Sequence, residues 1–179
     1  MDSLDANIIR KALVLKEYTN MSQEEFNKYL AEALSKIPPK DKIEICNNLE
    51  IILALDFREF LEQEGKRAFL MSNSQPRYYK YLESNISDDG RSWRKEGGYT
   101  IPVTVSNEPG RVVLINLFYE ETIDFLGHEL AHVWYNHPKG LDCRPEARET
   151  SYKVLDDLAK AKAGEWGFSS DNFTPRKSI

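Results

Sequence analysis

Apolar residues recur every three or four positions through the first 65 residues, which is the period of a helix buried on one face. The last of three such segments runs from about Lys40 to Glu64, and Gly65 suits a C-terminal cap. The pattern predicts a helical N-terminal segment over residues 1–65. The apolar positions of the three segments are Leu4, Ile8, Ala12 and Leu15, then Phe26, Leu30, Leu34 and Ile37, then Ile45, Leu49, Ile52 and Leu55.

The second of these segments has clear start and stop signals. Ser22 followed three residues later by Glu25 is a capping-box pattern, so a helix is expected to begin near Gln23. Pro38 and Pro39 are expected to end it, because proline lacks the backbone N–H that the interior of a helix needs.

The pattern changes after a long polar stretch. Residues 71–98 are rich in Ser, Asn, Asp and Gly, which predicts a loop. The runs "YTIPVTV" and "RVVLINLFY" then flank "SNEPG", which predicts a β-hairpin with Pro102 in an edge strand. We expect an α+β fold with a small antiparallel sheet or hairpin, in which the helical segment 1–65 and a domain of residues 66–179 form one compact unit.

The segment "FLGHELAHVWYNHPKG" holds all three histidines of the chain. A helix is predicted over residues 121–137, and on it His128 lies about 160° from Leu130, a residue of the apolar stripe. Two histidines four residues apart, His128 and His132, can bind one zinc ion, and Glu129 between them matches the general base of zinc hydrolases. The apolar stripe is Ile123, Leu126, Leu130 and Val133, with Trp134 beside it.

A catalytic zinc ion takes three protein ligands and keeps one position open, so a further ligand is required. His137 falls within about 20° of Leu130 on a continued helix, which directs it to the core and away from the site. The candidates for the third ligand are His137, Cys143, Glu146, Glu149, Asp156 and Asp157.

The carboxylate candidates belong to a last helix, predicted from Pro145 to Lys162 and ended by Gly164. Glu146 and Glu149 are three residues apart and therefore share one face of it. A helix that runs back past the two histidines would present one of these carboxylates to the metal. The remaining tail, residues 169–179, is expected to be poorly ordered.

"HELAH" followed by a helix that opens with Glu146 and Ala147 resembles the ImmA/IrrE-type zinc metallopeptidases, which are gluzincins. The resemblance covers about residues 111–160. It implies a zincin-like fold in which an H-E-x-x-H helix is followed by a glutamate helix. It also implies Zn²⁺ held by His128, His132 and Glu146, with Glu129 as the catalytic base. The chain departs from the pattern in a shorter spacing from His132 to Glu146 and in Thr150, where thermolysin-like enzymes have Asp, and both departures keep Glu149 open as a ligand.

These features predict a zinc-dependent endopeptidase that cuts a protein or peptide substrate, in regulatory or toxin-type proteolysis. The sheet edge near residues 99–119 could hold an extended peptide, and Tyr135, Arg148 and Tyr152 are candidates to stabilise the oxyanion. Two alternatives stay open: a non-catalytic, zinc-stabilised zincin-like binding module, and a zinc hydrolase of non-peptide amides. Glu129 favours catalysis, because a purely structural zinc site needs no general base.

Composition limits the partners. The 179 residues include 41% hydrophobic and 30% charged residues, which is typical of a globular chain. The net charge of −5 provides no broad basic surface, so no nucleic acid is expected. Cys46 and Cys143 imply no disulfide framework. The chain shows no signal peptide and no membrane-spanning run, so we expect a cytoplasmic protein, or one secreted by a signal-independent route, that does not bind a membrane.

Overall fold

The computed structural model describes residues 3–67, 82, 86, 97–105, 108–135, 145–169 and 174–176, without the side chains of residues 64–67, 102, 104–105, 108–109 and 145–152. Within these ranges the fold is mixed α and β. The helices are α1 Ser3–Arg10, α2 Gln23–Lys36, α3 Pro39–Asn48, α4 Phe57–Arg67, α5 Thr122–Tyr135 and α6 Pro145–Glu165. The strands are β1 Ala12–Val14, β2 Leu49–Leu55, β3 Gly98–Val105 and β4 Glu108–Asn116.

The four strands form one sheet in the order β1-β2-β4-β3. β1, β2 and β4 are parallel to one another, and β3 pairs antiparallel with β4. Leu53 in β2 is aligned with Leu13 on one side and with Leu114 on the other. The predicted antiparallel arrangement is therefore wrong for two of the three strand pairings, because the expectation rested on the hairpin alone.

The prediction of a wholly helical N-terminal segment is also wrong. Ala12–Val14 and Leu49–Leu55 are strands, and Gly65 lies inside α4 instead of capping a helix. The run "LEIILAL" is apolar at nearly every position, which suits a strand buried on both faces as well as a helix. Pairing with β1 and β4 selects the strand, and this pairing is not visible in a short window of sequence.

Two local predictions are confirmed. Ser22 caps α2, and its side-chain oxygen accepts a hydrogen bond from the backbone N–H of Glu25 at 3.1 Å. The hairpin is observed as β3 and β4, and β3, which contains Pro102, lies at the end of the strand order. An edge strand tolerates proline because one side of its backbone has no strand to pair with.

Side chains from the two faces of the sheet enter two separate apolar clusters. One face, with Ile52, Val113 and Ile115, packs with residues of α1, α2, α3, α5 and α6. The other face, with Leu53, Val112 and Leu114, packs with Phe57 and Phe60 of α4 and with residues of β3. The alternation along β2 and β4 follows from the two-residue period of a strand. Two of the neighbouring helices, α5 and α6, carry the predicted site.

The C-terminal end of α6 differs from the prediction. Gly164 lies within the helix, and Gly167, with φ of +86°, follows its end. The N–H of Phe168 donates to the carbonyl of Ala163, and that of Gly167 donates to Gly164, each at 3.0 Å. These two bonds form a Schellman motif, which needs the left-handed conformation that glycine adopts at low cost.

Part of the predicted disordered tail is held against the fold. Pro175 forms an isolated bridge with Tyr119, and the N–H of Arg176 donates to the carbonyl of Phe118 at 2.8 Å. The Arg176 guanidinium also donates to the hydroxyl of Thr122 at the start of α5. The prediction is therefore wrong for residues 174–176.

The predicted boundary near residue 65 separates β1 and β2 from β3 and β4, but one sheet contains all four strands. None of the helices in the described residues combines the length and the apolar character that crossing a bilayer requires.

Candidate metal centre

α5 presents the two histidines of "HELAH" from a helix anchored in the core. Leu126, Leu130 and Val133 of the predicted apolar stripe are fully buried. At the other side of the helix the Nε2 atoms of His128 and His132 lie 3.2 Å apart, and the rings meet edge to face. The i, i+4 spacing thus directs both imidazoles at one point, as expected for ligands on one helical face.

Asp156 of α6 completes the cluster. Its Oδ1 lies 3.1 Å from His128 Nε2 and 3.8 Å from His132 Nε2. These three side chains form the group of potential metal ligands found among the described residues. The cluster therefore contains two imidazole nitrogens and one carboxylate oxygen, contributed by two different helices.

The packing of α6 explains why Asp156 reaches the histidines. Asp156, Ala159 and Ala163 are spaced three and four residues apart, so they share one face of the helix. Both alanines are buried in the cluster that contains the core residues of α5. Because alanine side chains are small, α6 approaches closely and a short aspartate can span the remaining distance.

The geometry fits a tetrahedral ion such as zinc. With metal–ligand distances of about 2.0–2.2 Å, ligand atoms at the corners of a tetrahedron lie roughly 3.3–3.6 Å apart. The three distances in the cluster are 3.1, 3.2 and 3.8 Å. Two neutral imidazoles and one carboxylate are also a ligand set that zinc uses. Three protein ligands would leave the fourth position for water or substrate.

The charges of the cluster affect one another. Burial of His128 opposes its protonation, but the hydrogen bond to Asp156 and the negative charge of Glu129 outweigh this, and the pKa of His128 is raised. Hydrogen bonds from His128 and then from His132 hold the pKa of the Asp156 carboxyl well below its usual range. In the metal-free protein a proton between histidine and aspartate thus stabilises the arrangement that zinc would occupy.

Two neighbouring groups complete this electrostatic picture. Lys160 Nζ lies 2.8 Å from Asp156 Oδ2, the carboxylate oxygen that faces away from the histidines. Only Oδ1 is therefore directed at the predicted metal position. His128 Nδ1 is buried and has no hydrogen-bond partner within the described residues.

Glu129 is directed to the sheet. The residue is only 4% exposed, although it follows His128 directly. The hydroxyl of Thr100 in β3 donates to Glu129 Oε2 at 2.6 Å. A carboxylate that is removed from water needs such a partner, and here the edge strand provides it.

Glu146, the third ligand that the family resemblance implies, is not part of the cluster of described side chains. Its side chain and that of Glu149 lie outside the described residues, but their backbones belong to α6. Glu146 precedes Asp156 by ten residues, which is about 15 Å along a helix axis. One ion cannot take both as ligands, so the structure favours Asp156, one of the candidates named from the sequence. The choice of Glu146 stays an untested prediction.

The other candidates are distributed as follows. Asp157 is exposed on α6, while His137 and Cys143 lie outside the described residues, as do the side chains of Arg148 and Tyr152. Tyr135 packs its ring edge-on against Trp134.

Thr100 and Gly98 were missed by sequence reasoning, because their proximity to Glu129 depends on the docking of α5 onto β3. The sequence does contain a signal for Asp156. Asp156, Ala159 and Ala163 form a stripe of small residues on one helix face, which indicates the face that can pack closely against another helix.

A cavity of about 480 Å³ lies elsewhere, at the carboxyl ends of the parallel strands. Lys16, Asp56, Arg58 and Phe118 are among its lining residues, and no candidate ligand is. Its lining carries both signs of charge and indicates no particular ligand. The histidine cluster, where three potential metal ligands converge, is therefore the candidate functional site.

Comparison with family models, with curated proteins and with solved structures gives no match for this chain. The functional argument therefore depends on the geometry of the site.

Proposed function

We propose that this protein is a zinc-dependent endopeptidase. In this proposal His128, His132 and Asp156 hold the ion, and Glu129 is the general base. The observation that carries it is the convergence of three ligand atoms within 3.8 Å of one another beside a glutamate in H-E-x-x-H spacing. Asp156 replaces Glu146 in the ligand set, while the expected zincin-like fold and the resemblance to ImmA/IrrE-type peptidases remain part of the proposal.

Zinc bound at such a site lowers the pKa of water to about 7 and polarises a carbonyl group. Glu129 has two carboxylate oxygens, and Thr100 donates to Oε2. Oε1 is then the oxygen assigned to accept the proton of the attacking water and to pass it to the leaving amine. The two histidines and Asp156 would hold the ion in place. Lys160 restrains Oδ2 of Asp156, so that Oδ1 stays directed at the histidines.

The substrate is proposed to be an extended peptide or a segment of a protein. Among the strands that the structure describes, β3 lies at the edge of the sheet, and it runs beside Glu129, because Thr100 belongs to it. An edge strand offers backbone N–H and C=O groups to a peptide that adds to the sheet. This arrangement supports peptide hydrolysis over hydrolysis of a small amide.

A second candidate function is a zinc-stabilised binding module without catalysis. The burial of Glu129, at 4% exposure, favours this alternative, because the residue then serves mainly to join α5 to β3. The two candidates differ in one respect that can be measured. Only the peptidase requires the Glu129 carboxylate for turnover, while both require zinc.

The test combines zinc content with cleavage of a randomised mixture of quenched fluorescent peptides. We expect one zinc ion per chain in the wild type and in Glu129→Gln, with a loss of kcat of at least roughly 100-fold in the variant, because general acid–base catalysis contributes that much. Glu44→Gln, which changes an exposed glutamate, is the matched control. Full cleavage by Glu129→Gln would exclude its role as base, zinc without wild-type cleavage would favour the binding module, and a wild type that binds no zinc would exclude both.

A further inference from the structure

Glu129 rests on a part of β3 that has no side chain. A Cβ atom built on Gly98 would lie 2.8 Å from Glu129 Cγ and 2.5 Å from the carbonyl oxygen of Leu114. Any larger residue at this position would therefore displace either the glutamate or the strand backbone. The neighbouring Gly97 has the same relation to Phe125, whose ring would lie 2.2 Å from an added Cβ.

The two contacts describe one docking surface. Phe125 and Glu129 are four residues apart on α5 and share a helix face, and the adjacent Gly97 and Gly98 stand at the start of β3. The missing side chains let the helix approach the strand closely. Glu129 therefore lies flat against the edge strand, with the next inward-facing residue, Thr100, at its carboxylate.

Thr100 fixes the end of this side chain. Its hydroxyl lies 2.6 Å from Glu129 Oε2 and 3.2 Å from the backbone carbonyl of the same residue. A threonine hydroxyl has a single proton to donate, and the shorter distance is typical of a bond to a charged carboxylate. This bond restrains the glutamate side chain, which otherwise has three rotatable angles.

We propose that Thr100 is a positioning residue for Glu129. Together with the space left by Gly98, its hydroxyl holds the carboxylate in one orientation through Oε2 and leaves Oε1 for the proposed proton transfer. The role rests on the proposed peptidase function and deepens it. It assigns to the edge strand the alignment of the general base, in addition to binding the substrate.

The experiment compares Thr100→Val, which keeps the shape and removes the hydroxyl, with Thr100→Ser, which keeps the hydroxyl. The zinc-loaded proteins are assayed with the randomised peptide mixture and then with the best-cleaved peptide. We expect Thr100→Val to lower kcat roughly 10- to 100-fold, because a misaligned base loses much of its contribution. KM and zinc affinity should stay within about twofold, and Thr100→Ser should restore kcat to within about threefold, since its hydroxyl reaches the same oxygen.

Thr122→Val is the matched control, because it removes a buried threonine hydroxyl, bonded to Arg176, from the start of the helix that carries Glu129. It should lower stability without changing kcat.

Equal kcat in Thr100→Val and wild type would overturn the positioning role alone. A wild type that binds zinc but cleaves no peptide would overturn the proposed function and this role with it. If Thr100→Val does not fold, Thr100→Cys provides a weaker donor of similar size, and its kcat should fall severalfold. An unchanged kcat in that variant would overturn the proposal.

Discussion

Two aspartates join α5 to α6 or to the residue that follows it, and the aromatic partners of the two aspartates differ in their chemistry. Asp156 lies among His128, His132 and Lys160. Asp41, from α3, accepts hydrogen bonds from the indole N–H groups of Trp134 and Trp166 at 3.2 and 2.9 Å. Lys162 Nζ lies 3.3 Å from Asp41. Each aspartate thus has two aromatic nitrogens and one lysine.

The aromatic nitrogens determine what each cluster can do. An imidazole can lose its proton and expose a lone pair to a metal, whereas an indole N–H is only a donor. The Asp41 cluster is therefore satisfied as it stands, and Lys162 adds a cation–π contact 4.1 Å from the centre of the Trp134 ring. The Asp156 cluster is held together by hydrogen bonds between the histidines and the carboxylate, which a metal would replace in the proposed function. The Asp41 cluster therefore stabilises the packing of α5 against α6. The Asp156 cluster depends on this packing, because its ligands come from both helices.

The largest effect on stability should follow from removal of Asp41, which disrupts its cluster with the two indoles and Lys162. Asp41→Ala leaves the indoles of Trp134 and Trp166 without their acceptor and Lys162 with Glu165 alone. We expect the free energy of unfolding to fall by about 3–5 kcal/mol, the usual cost of breaking a buried ion pair. Chemical denaturation measures this loss, with the exposed neighbour of the second cluster, Asp157→Ala, as control. A loss below about 1 kcal/mol would show that the network around Asp41 is not a principal link between the helices.

The next largest effect concerns zinc. Asp156→Asn should weaken zinc binding at least roughly 100-fold, since even partners outside the ligand set contribute 10- to 100-fold. Glu146→Gln and Asp157→Asn should bind zinc as the wild type does. Competition with a chromophoric chelator measures the affinities. If Glu146→Gln weakens binding and Asp156→Asn does not, the ligand predicted from the family resemblance is the correct one.

The smallest effect is a difference between the two aspartate clusters in how the stability that they contribute depends on pH. The raised pKa of His128 gives the metal-free protein stability that is complete below about pH 6.5 and is lost as pH rises through the raised value. The lowered pKa of Asp156 gives stability that is present above about pH 3.9 and is lost only as pH falls through the lowered value. The cluster thus stabilises the metal-free protein most between these limits.

The metal-free protein should lose stability as pH rises above about 6.5. With zinc present, stability should instead increase with pH, because zinc binding requires deprotonated histidines and strengthens as pH rises. Hydrogen bonds from Trp166 and Lys162 outweigh burial and lower the pKa of Asp41, so its contribution stays constant above about pH 4. Thermal unfolding between pH 6 and 8, with and without zinc, measures both slopes. A metal-free protein whose stability does not fall over this range would contradict the assignment of the proton to the His128–Asp156 pair.

The parts of the fold that sequence predicts well are those fixed by near neighbours. The cap of α2 depends on Ser22 and Glu25, three residues apart, and the H-E-x-x-H pair depends on four residues of one helix. The hairpin likewise joins two strands that are close in sequence. In each case the interacting groups fall within one short window, and simple periodicity or propensity is sufficient.

The errors concern contacts between distant residues. Leu49–Leu55 becomes a strand because β1 and β4 lie on either side of it, and Asp156 becomes the candidate ligand because α6 docks on α5. The family resemblance directed attention to Glu146, at the start of α6, ten residues before the carboxylate that meets the histidines. Thr100 and Gly98 carry no sequence signal of their own, since their relation to Glu129 exists only once β3 and α5 meet.

The position of β2 in the sheet has a consequence for dissecting the chain. A fragment that begins after Arg67 would retain the histidines, Asp156 and the edge strand beside Glu129. It would lose the two strands that cover the other edge of β4, together with the helices packed behind it. The newly exposed backbone of a buried, β-branched strand is a template for pairing with other chains. The N-terminal strands β1 and β2 therefore protect β4 from pairing with other chains, and a fragment without them is expected to self-associate.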